Sequence, residues 1–419
     1  MATECADAVR RRFLSGFVPG SGLADSAPPP PEAAWDTVAA EGGAFPRLAA
    51  ELWTARQRQA ASLHEISYRA CYKPQLPRHF IERLTRPGDR VYDPFSGRGT
   101  TALEAALLGR RVAANDVNPL SQMLAEPRLT PPDPIAVAKR LQELPRTGTP
   151  DGLDLGMFFH PDTEAEIRGL RDWCLDRSAS GELDATDTWI RMVATNRLTG
   201  HSPGFFSVYT LPPNQALTAD KQRQINASRN QAPTYRDTRA LIQKKTRQLL
   251  SGLTPQERRH LAQAAEDAHF LTGDARTTPD LPDASVQLTV TSPPFLDVVD
   301  YAADNWLRCW FNGLDAEAIG RGLSMPRTLA AWSDTMAGVF AELFRITRSG
   351  GFVAFEVGEI RRGKVKLDET VLPLGLAAGF KPHGVLVNTQ AFTKTANIWG
   401  VHNNDKGTNS NRIVLFEKG

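Results

Sequence analysis

Short apolar runs, each closed by a glycine or proline turn, fall in two separate blocks of this chain. The first block holds "RVYDPF" and "RVAANDV"; the second holds "HFLTGDA", "SVQLTVTSPPF", "GGFVAFEVGE", "HGVLVNTQ" and "NRIVLFEKG". Continuous apolar runs of this length read as strands buried on both faces. Between the first two strands "SGRG" is a turn and "TTALEAALLG" a helix closed by Gly109, while "LPRHFIERL" ahead of them is a short amphipathic helix. Strand, turn, helix and strand make one βαβ unit, the first half of a doubly wound sheet. The alternation is lost from about residue 130 to 269. That stretch carries amphipathic helices ("DTEAEIRGLRDWCL", "YRDTRALIQKKTRQLL") and the irregular polar segment "NRLTGHSPGFFSVYTLPPNQ".

The pattern predicts an α/β fold: a mixed, mostly parallel sheet with helices on both faces, plus a largely helical insertion. The boundaries are 1–60 for a peripheral helical and Pro-rich segment, 61–128 with 268–419 for the sheet domain, and 129–267 for the insertion. In the first segment "APPPPE" is a polyproline-like hinge and "FPRLAAELWTARQRQAASLHEI" has apolar residues at helical spacing. A structureless loop of roughly 140 residues is against expectation, so the insertion reads as an independently folded unit.

Composition narrows the class without fixing it. The 419 residues are 41% hydrophobic and 23% charged, ordinary for a globular protein, and the net charge of +2 does not argue for nucleic acid by itself. Cys5, Cys71, Cys174 and Cys309 form no CxxC pair, which speaks against a disulfide framework or a metal site. The start "MATECADAVRRRF" has no signal-peptide core and no apolar run reaches transmembrane length, so a cytoplasmic protein without membrane contact is expected.

Two turns carry candidate chemistry. "DPFSGRGTT", Asp93 to Thr101, links a strand to a helix. Its glycines allow positive φ and close approach to a ligand, the helix start offers free N–H groups, and Thr100 or Thr101 can cap it. Asp116 closes the next strand, where an acid meets ribose hydroxyls. The loop lacks a GK[ST] ending, so it is no P-loop. An acid inside the turn disfavours a pyrophosphate and suits a ligand carrying an ammonium group. "TSPPF", Thr291 to Phe295, ends another strand in two prolines, which makes a stiff extended corner with free carbonyls and an aromatic tip. The corner is either a plain strand terminator or a rigid wall for something flat.

Together the two turns resemble the motif pair of S-adenosylmethionine-dependent amino-group DNA methyltransferases, a DPFxGxGTT cofactor loop and a [DNS]PP[YF] catalytic loop. The resemblance covers about 60–127 and 268–419. It implies a Rossmann-like class I methyltransferase fold and S-adenosyl-L-methionine as cofactor. It places Phe95, Gly97, Gly99 and Thr100 around the methionine part and Asp116 at the ribose, with Asp93, Ser96, Thr101 and Asn118 among the cofactor-binding residues. "YKPQLP" supplies Tyr72 and Lys73 near the methionine tail, and "TGDA" supplies Asp274 and Ala275 at the adenine. The corner residues Ser292, Pro293, Pro294 and Phe295 become catalytic. Ser292 Oγ and the Pro293 carbonyl accept N–H bonds from an exocyclic amine, and Phe295 stacks on a flipped base. Ser-Pro-Pro is the form that the family tends to use for cytosine N4, and Asp- or Asn-Pro-Pro that for adenine N6. No Pro-Cys dipeptide occurs, against the covalent C5 route.

The insertion is the expected reader of a specific site in double-stranded DNA. From Lys221 to His260 ten Lys/Arg stand against two Asp/Glu, a local excess of +8, with Asn and Gln interleaved. Arg reads guanine edges, Asn and Gln read adenine edges, and Lys holds phosphates. Arg223, Arg229, Lys244 and Lys245 are the named candidates; Gln390 to Arg412 is a second candidate segment. A solvated basic helix face stays open against this reading. So do adenine N6, an RNA base or a protein glutamine as substrate, a catalytically dead binding module, a partner restriction endonuclease and a homodimer.

Overall fold

In the computed structural model the described residues are 34–40, 43–50, 60–68, 71–210, 217–294, 301–322, 326, 328–360, 365–389 and 410–419. Strands β1 (Ala34–Ala40), β2 (Gly43–Ala50), β3 (Arg90–Asp93), β4 (Arg111–Asp116), β5 (His269–Thr272), β6 (Val286–Thr291), β7 (Thr347–Val357), β10 (Lys381–Thr389) and β11 (Ser410–Glu417) form one sheet. Its order is β1-β2-β10-β11-β7-β6-β3-β4-β5. β8 (Glu359–Ile360) and β9 (Val365–Lys366) make a separate ribbon.

The five strands β5-β4-β3-β6-β7 are parallel. The chain runs outward from β3 through β4 to β5, then returns to lay β6 on the other side of β3 and continues to β7. Strand order therefore reverses between β3 and β6. In an open α/β sheet such a point leaves a crevice at the carboxyl ends of the strands, and ligands bind there. The cofactor-type loop and the double-proline corner leave those two strands side by side.

Helices α1 (Gln75–Leu84), α2 (Thr100–Leu107), α3 (Leu120–Ala125), α4 (Pro134–Glu143), α5 (Pro161–Ala179), α6 (Ala185–Arg197), α7 (Ala219–Ser228), α8 (Thr238–Leu250) and α9 (Pro255–Glu266) precede β5. Helices α10 (Tyr301–Phe311), α11 (Ala316–Gly322), α12 (Leu329–Ile346) and α13 (Leu367–Ala377) follow β6. Local signals explain many of the boundaries. Asp133, Asp184, Thr218, Asp237, Thr254 and Thr328 each cap a helix through a side-chain oxygen. One face of the sheet packs α12 and α13 against Tyr92, Val353, Phe355 and Phe416. The other packs α1 and α2 together with the insertion.

Two expectations are corrected. The first concerns the peripheral N-terminal segment. Residues 34–40 and 43–50 are not helical; β1 and β2 form an antiparallel pair at the sheet edge, with Ala40 opposite Gly43, and β2 runs parallel to β10. Phe45 enters one core while Leu48 and Ala50 enter the other, the two-faced burial of a strand. The open edge of β10 decides between periods that the alanine-rich sequence fits equally well. Residues 1–33, with the polyproline stretch, lie outside the described residues. The second concerns the insertion, which shares its core with the sheet. Leu63, Phe80, Leu103 and Ala106 lie in one apolar cluster with Trp189, Ile190, Leu249 and Leu261.

Candidate active site

The cofactor-type loop is built by backbone geometry. Gly97 and Gly99 have φ of +54° and +74°, and Gly99 caps α2 in the left-handed region. A Cβ on Gly99 would stand 2.5 Å from Ala125 Cβ, so glycine is needed there for space as well as conformation. Arg128, fully buried, donates to the carbonyls of Leu63, Leu124 and Arg98 and ties the loop to α3. Arg98 in turn donates to the Ile66 carbonyl at 2.7 Å. No sequence signal marked either arginine.

Asp93 has no exposed surface and accepts from Thr291 Oγ1 at 2.6 Å, Tyr72 OH at 2.7 Å and Phe95 N at 3.1 Å. Burial raises its carboxyl above the usual range, and those donors oppose the shift. Thr101 donates to the Val290 carbonyl at 3.1 Å. The cofactor loop, the Tyr72 segment and β6 are thus joined one residue before Ser292.

A cavity opens above this junction. Of the residues expected at a cofactor, Tyr72, Phe95, Ser96, Gly97, Thr100, Asp116, Asn118, Asp274 and Ala275 line it, and so do Ser292 and Pro294 from the double-proline corner. Asp93, Gly99 and Thr101 lie beneath it as supports. Lys73 is not in the wall. Tyr68, Cys71, Val117, Trp332, Met336 and Val339 line it without having been read from the sequence. A spacing of four and three residues puts the last three on one face of α12, which looks like any core face in a sequence.

Asp116 accepts from Gly97 N at 2.8 Å and Asn118 N at 2.9 Å, and burial pushes its carboxyl up to about 6. Beside it Asn118 Nδ2 and Ser96 Oγ are buried and have no hydrogen-bond partner. Asn115 donates to the carbonyls of Pro94 and Gly273 and so fixes the cofactor loop against the Asp274 turn. Asp274 is half-exposed, and Arg276 Nε sits 3.0 Å from both of its oxygens and lowers its pKa.

At the corner, Pro293 is buried and the Pro294 carbonyl accepts from Trp332 Nε1 at 3.0 Å. Glu356 is buried, accepts from Asn411 Nδ2 at 2.8 Å, and has its carboxyl raised by burial, a shift that Asn411 and Ser292 oppose. Phe295 lies outside the described residues.

The insertion's candidates divide. Arg223 is exposed and paired to Asp154 and Asp220, Arg229 is exposed with its guanidinium 3.9 Å over the Tyr209 ring, and Lys244 is exposed. Lys245 is corrected. It is buried, 3.6 Å from Glu65, and burial lowers its pKa to about 8, so it serves the packing of α8 rather than a phosphate. The interleaved amides are also structural. Gln222 and Gln231 both donate to the Tyr209 carbonyl and to Asn226 Oδ1, and Asn226 donates to the Met157 carbonyl. Residues 390–409 of the second candidate segment lie outside the described residues. No described helix is long and apolar enough to cross a membrane.

Residues 32–122 match the family model for N6/N4 DNA methylases. The chain is 38% identical over 80 residues to the type II methyltransferase M.MvaI of Kocuria varians, covering 18% of each chain. It is 24% identical over 284 residues to M.BsoBI of Geobacillus stearothermophilus, covering 62% of this chain and 54% of that one. The chain thus spans from under a fifth to about half the length of these curated relatives. Among solved structures TrmN from Thermus thermophilus aligns at a TM-score of 0.31 and 16% identity, covering 85% of this chain and 52% of TrmN. The resemblance to amino-group DNA methyltransferases is borne out by the family model and the curated relatives.

S-adenosylmethionine, the cofactor of that family, fits the cavity on the donors and acceptors present. Asp116 offers a carboxylate, the group that accepts from ribose hydroxyls, and beside it Asn118 has an unpartnered N–H. Phe95, Ala275, Met336 and Val339 give the cavity an apolar lining.

Proposed function

We propose that this chain is a site-specific DNA methyltransferase that acts on the exocyclic N4 of a cytosine flipped out of the duplex. The observation that carries the reading is that one cavity is lined by both motifs, Gly97 and Asp116 on one side and Ser292 and Pro294 on the other. When bound, S-adenosylmethionine supplies an electrophilic methyl group. Ser292 Oγ and the Pro293 carbonyl accept the amine's N–H bonds, which draws electron density to nitrogen and orients it. That is a gain in positioning rather than covalent catalysis. The stiffness of two consecutive prolines limits the entropy lost on docking. Ser-Pro-Pro favours cytosine N4 over adenine N6 on the resemblance. Duplex DNA is the substrate in this reading, with Arg223, Arg229 and Lys244 on the contacting face. The chain is placed in the cytoplasm, and a companion restriction endonuclease or a second copy is compatible with it.

The test is to digest genomic DNA from cells expressing the chain to nucleosides and weigh the modified species, with Ser292→Ala as control. N4-methylcytosine is expected. N6-methyladenine would move the target to adenine, and neither base would sink the DNA reading.

Two further outcomes are expected. Removing the charges of Arg223, Arg229 and Lys244 should flatten the salt dependence of DNA binding by about one slope unit for each phosphate no longer neutralised. An unchanged slope removes α7 and α8 from the interface. Asp116→Ala should weaken cofactor binding about ten- to a hundredfold, the loss of a charged hydrogen bond worth about 1.5–3 kcal/mol. Because the ionised form accepts from the ribose, affinity of the unaltered chain should fall as pH drops through about 6. Calorimetry at a series of pH values should show that fall, and Asp116→Asn should abolish it.

A further inference from the structure

Trp332 has no exposed surface and sits at the start of α12, on the face that also bears Met336 and Val339. Its ring helps wall the cavity, while its indole N–H donates to the Pro294 carbonyl at 3.0 Å. The bond matters because of what the corner lacks. The parallel pairing of β6 with β7 ends at Thr291 opposite Phe355. Pro293 and Pro294 then have no N–H with which to continue a ladder. The prolines restrict φ, but they do not set where the corner stands relative to the cavity. Past the Thr291 bond to Asp93, a buried donor from the cavity wall anchors it, and it binds the carbonyl next to the one that the amine needs.

We propose that Trp332 is a positioning residue for methyl transfer: beyond the Asp93 junction at Thr291, it is a second link through which the cofactor wall holds Ser292 and the Pro293 carbonyl in register with the methyl donor. This rests on the methyltransferase reading above. One side chain thereby belongs to both half-sites, touching the cofactor cavity through its ring and the acceptor corner through its nitrogen.

Trp332→Phe keeps most of the wall and deletes the donor. Cofactor affinity, measured with S-adenosylhomocysteine by calorimetry, is expected to stay within about threefold. Turnover on DNA at saturating cofactor is expected to fall about tenfold or more, since a half-buried carbonyl loses its partner and the corner drifts. A loss of cofactor affinity with unchanged turnover would reduce Trp332 to wall, and no change in either would overturn the proposal outright. Site-specific replacement of Trp332 by its isostere benzothienylalanine is the second arm, needed should the phenylalanine variant not fold. It keeps the shape of the ring and deletes only the N–H donor, so turnover should again fall about tenfold with cofactor affinity within about threefold. Unchanged turnover there shows that the prolines, not the indole, hold the corner. Failure of the unaltered chain to bind S-adenosylhomocysteine would strike the methyltransferase reading instead.

Discussion

Gly99→Ala is expected to lower the melting temperature by several degrees and to weaken S-adenosylmethionine binding at least about tenfold. Two costs add. A non-glycine residue in the left-handed region, where φ is +74°, costs about 1–2 kcal/mol. The new methyl would also lie 2.5 Å from Ala125 Cβ and 3.2 Å from an Arg128 nitrogen, so α3 or the loop has to move. Overpacking of that kind costs about 1–3 kcal/mol. The sum, about 2–5 kcal/mol, falls on the loop that carries Gly97 and faces Asp116, so binding suffers with stability. Gly88→Ala is the control. Its φ is +86° with open space around the added methyl, so it bears the first cost alone. Equal melting temperatures for the two variants would show that the close approach to α3 is not felt.

Asp93→Ala should cost turnover about a hundredfold or more at saturating cofactor, with a loss of stability of about 3–5 kcal/mol. The carboxylate is the shared acceptor of Thr291, Tyr72 and the Phe95 amide. Deleting it strands buried donors, each worth about 1–3 kcal/mol when unsatisfied. It also frees β6 from the cofactor loop immediately ahead of Ser292. Asp93→Asn keeps the shape and removes the buried charge, yet leaves one good acceptor oxygen for three donors. A loss of about tenfold is expected there. Initial rates of labelled methyl transfer to DNA, with cofactor affinity measured in parallel, check both. Wild-type turnover in the alanine variant would mean that the corner is aligned without this junction.

How legible the site was depends on which physical signal each part uses. β3, β4 and β6 are apolar runs punctuated by glycine and proline, and the turns after β3 and β6 advertise unusual backbone geometry, so they could be read directly. β2 could not. Phe45, Leu48 and Ala50 suit a helix as well as a strand, and the deciding partner, β10, lies more than three hundred residues away. Lys245 and the amides Gln222, Asn226 and Gln231 looked like a reading surface because composition says what a side chain can bond, not which way it faces. Trp332, Met336 and Val339 were invisible for the opposite reason. Their spacing is that of every buried helix face, and only the cavity beside them makes that face a wall.

The shared core of sheet and insertion has a consequence for recombination. Target choice could be exchanged between enzymes as a cassette if residues 129–267 were a module with its own interior. Here they are not separable. Trp189 and Leu249 pack in the cluster that holds Phe80 and Leu103, and Ser62 donates to the Leu249 carbonyl at 2.7 Å. A chimera joined at the insertion's ends would bring in helices cut to another protein's sheet and leave a mismatched interior beneath the cofactor loop. If α7 and α8 read the target, as proposed above, new specificity would be reached by single exposed substitutions along them, as at Arg229 or Lys244, rather than by swapping the whole segment.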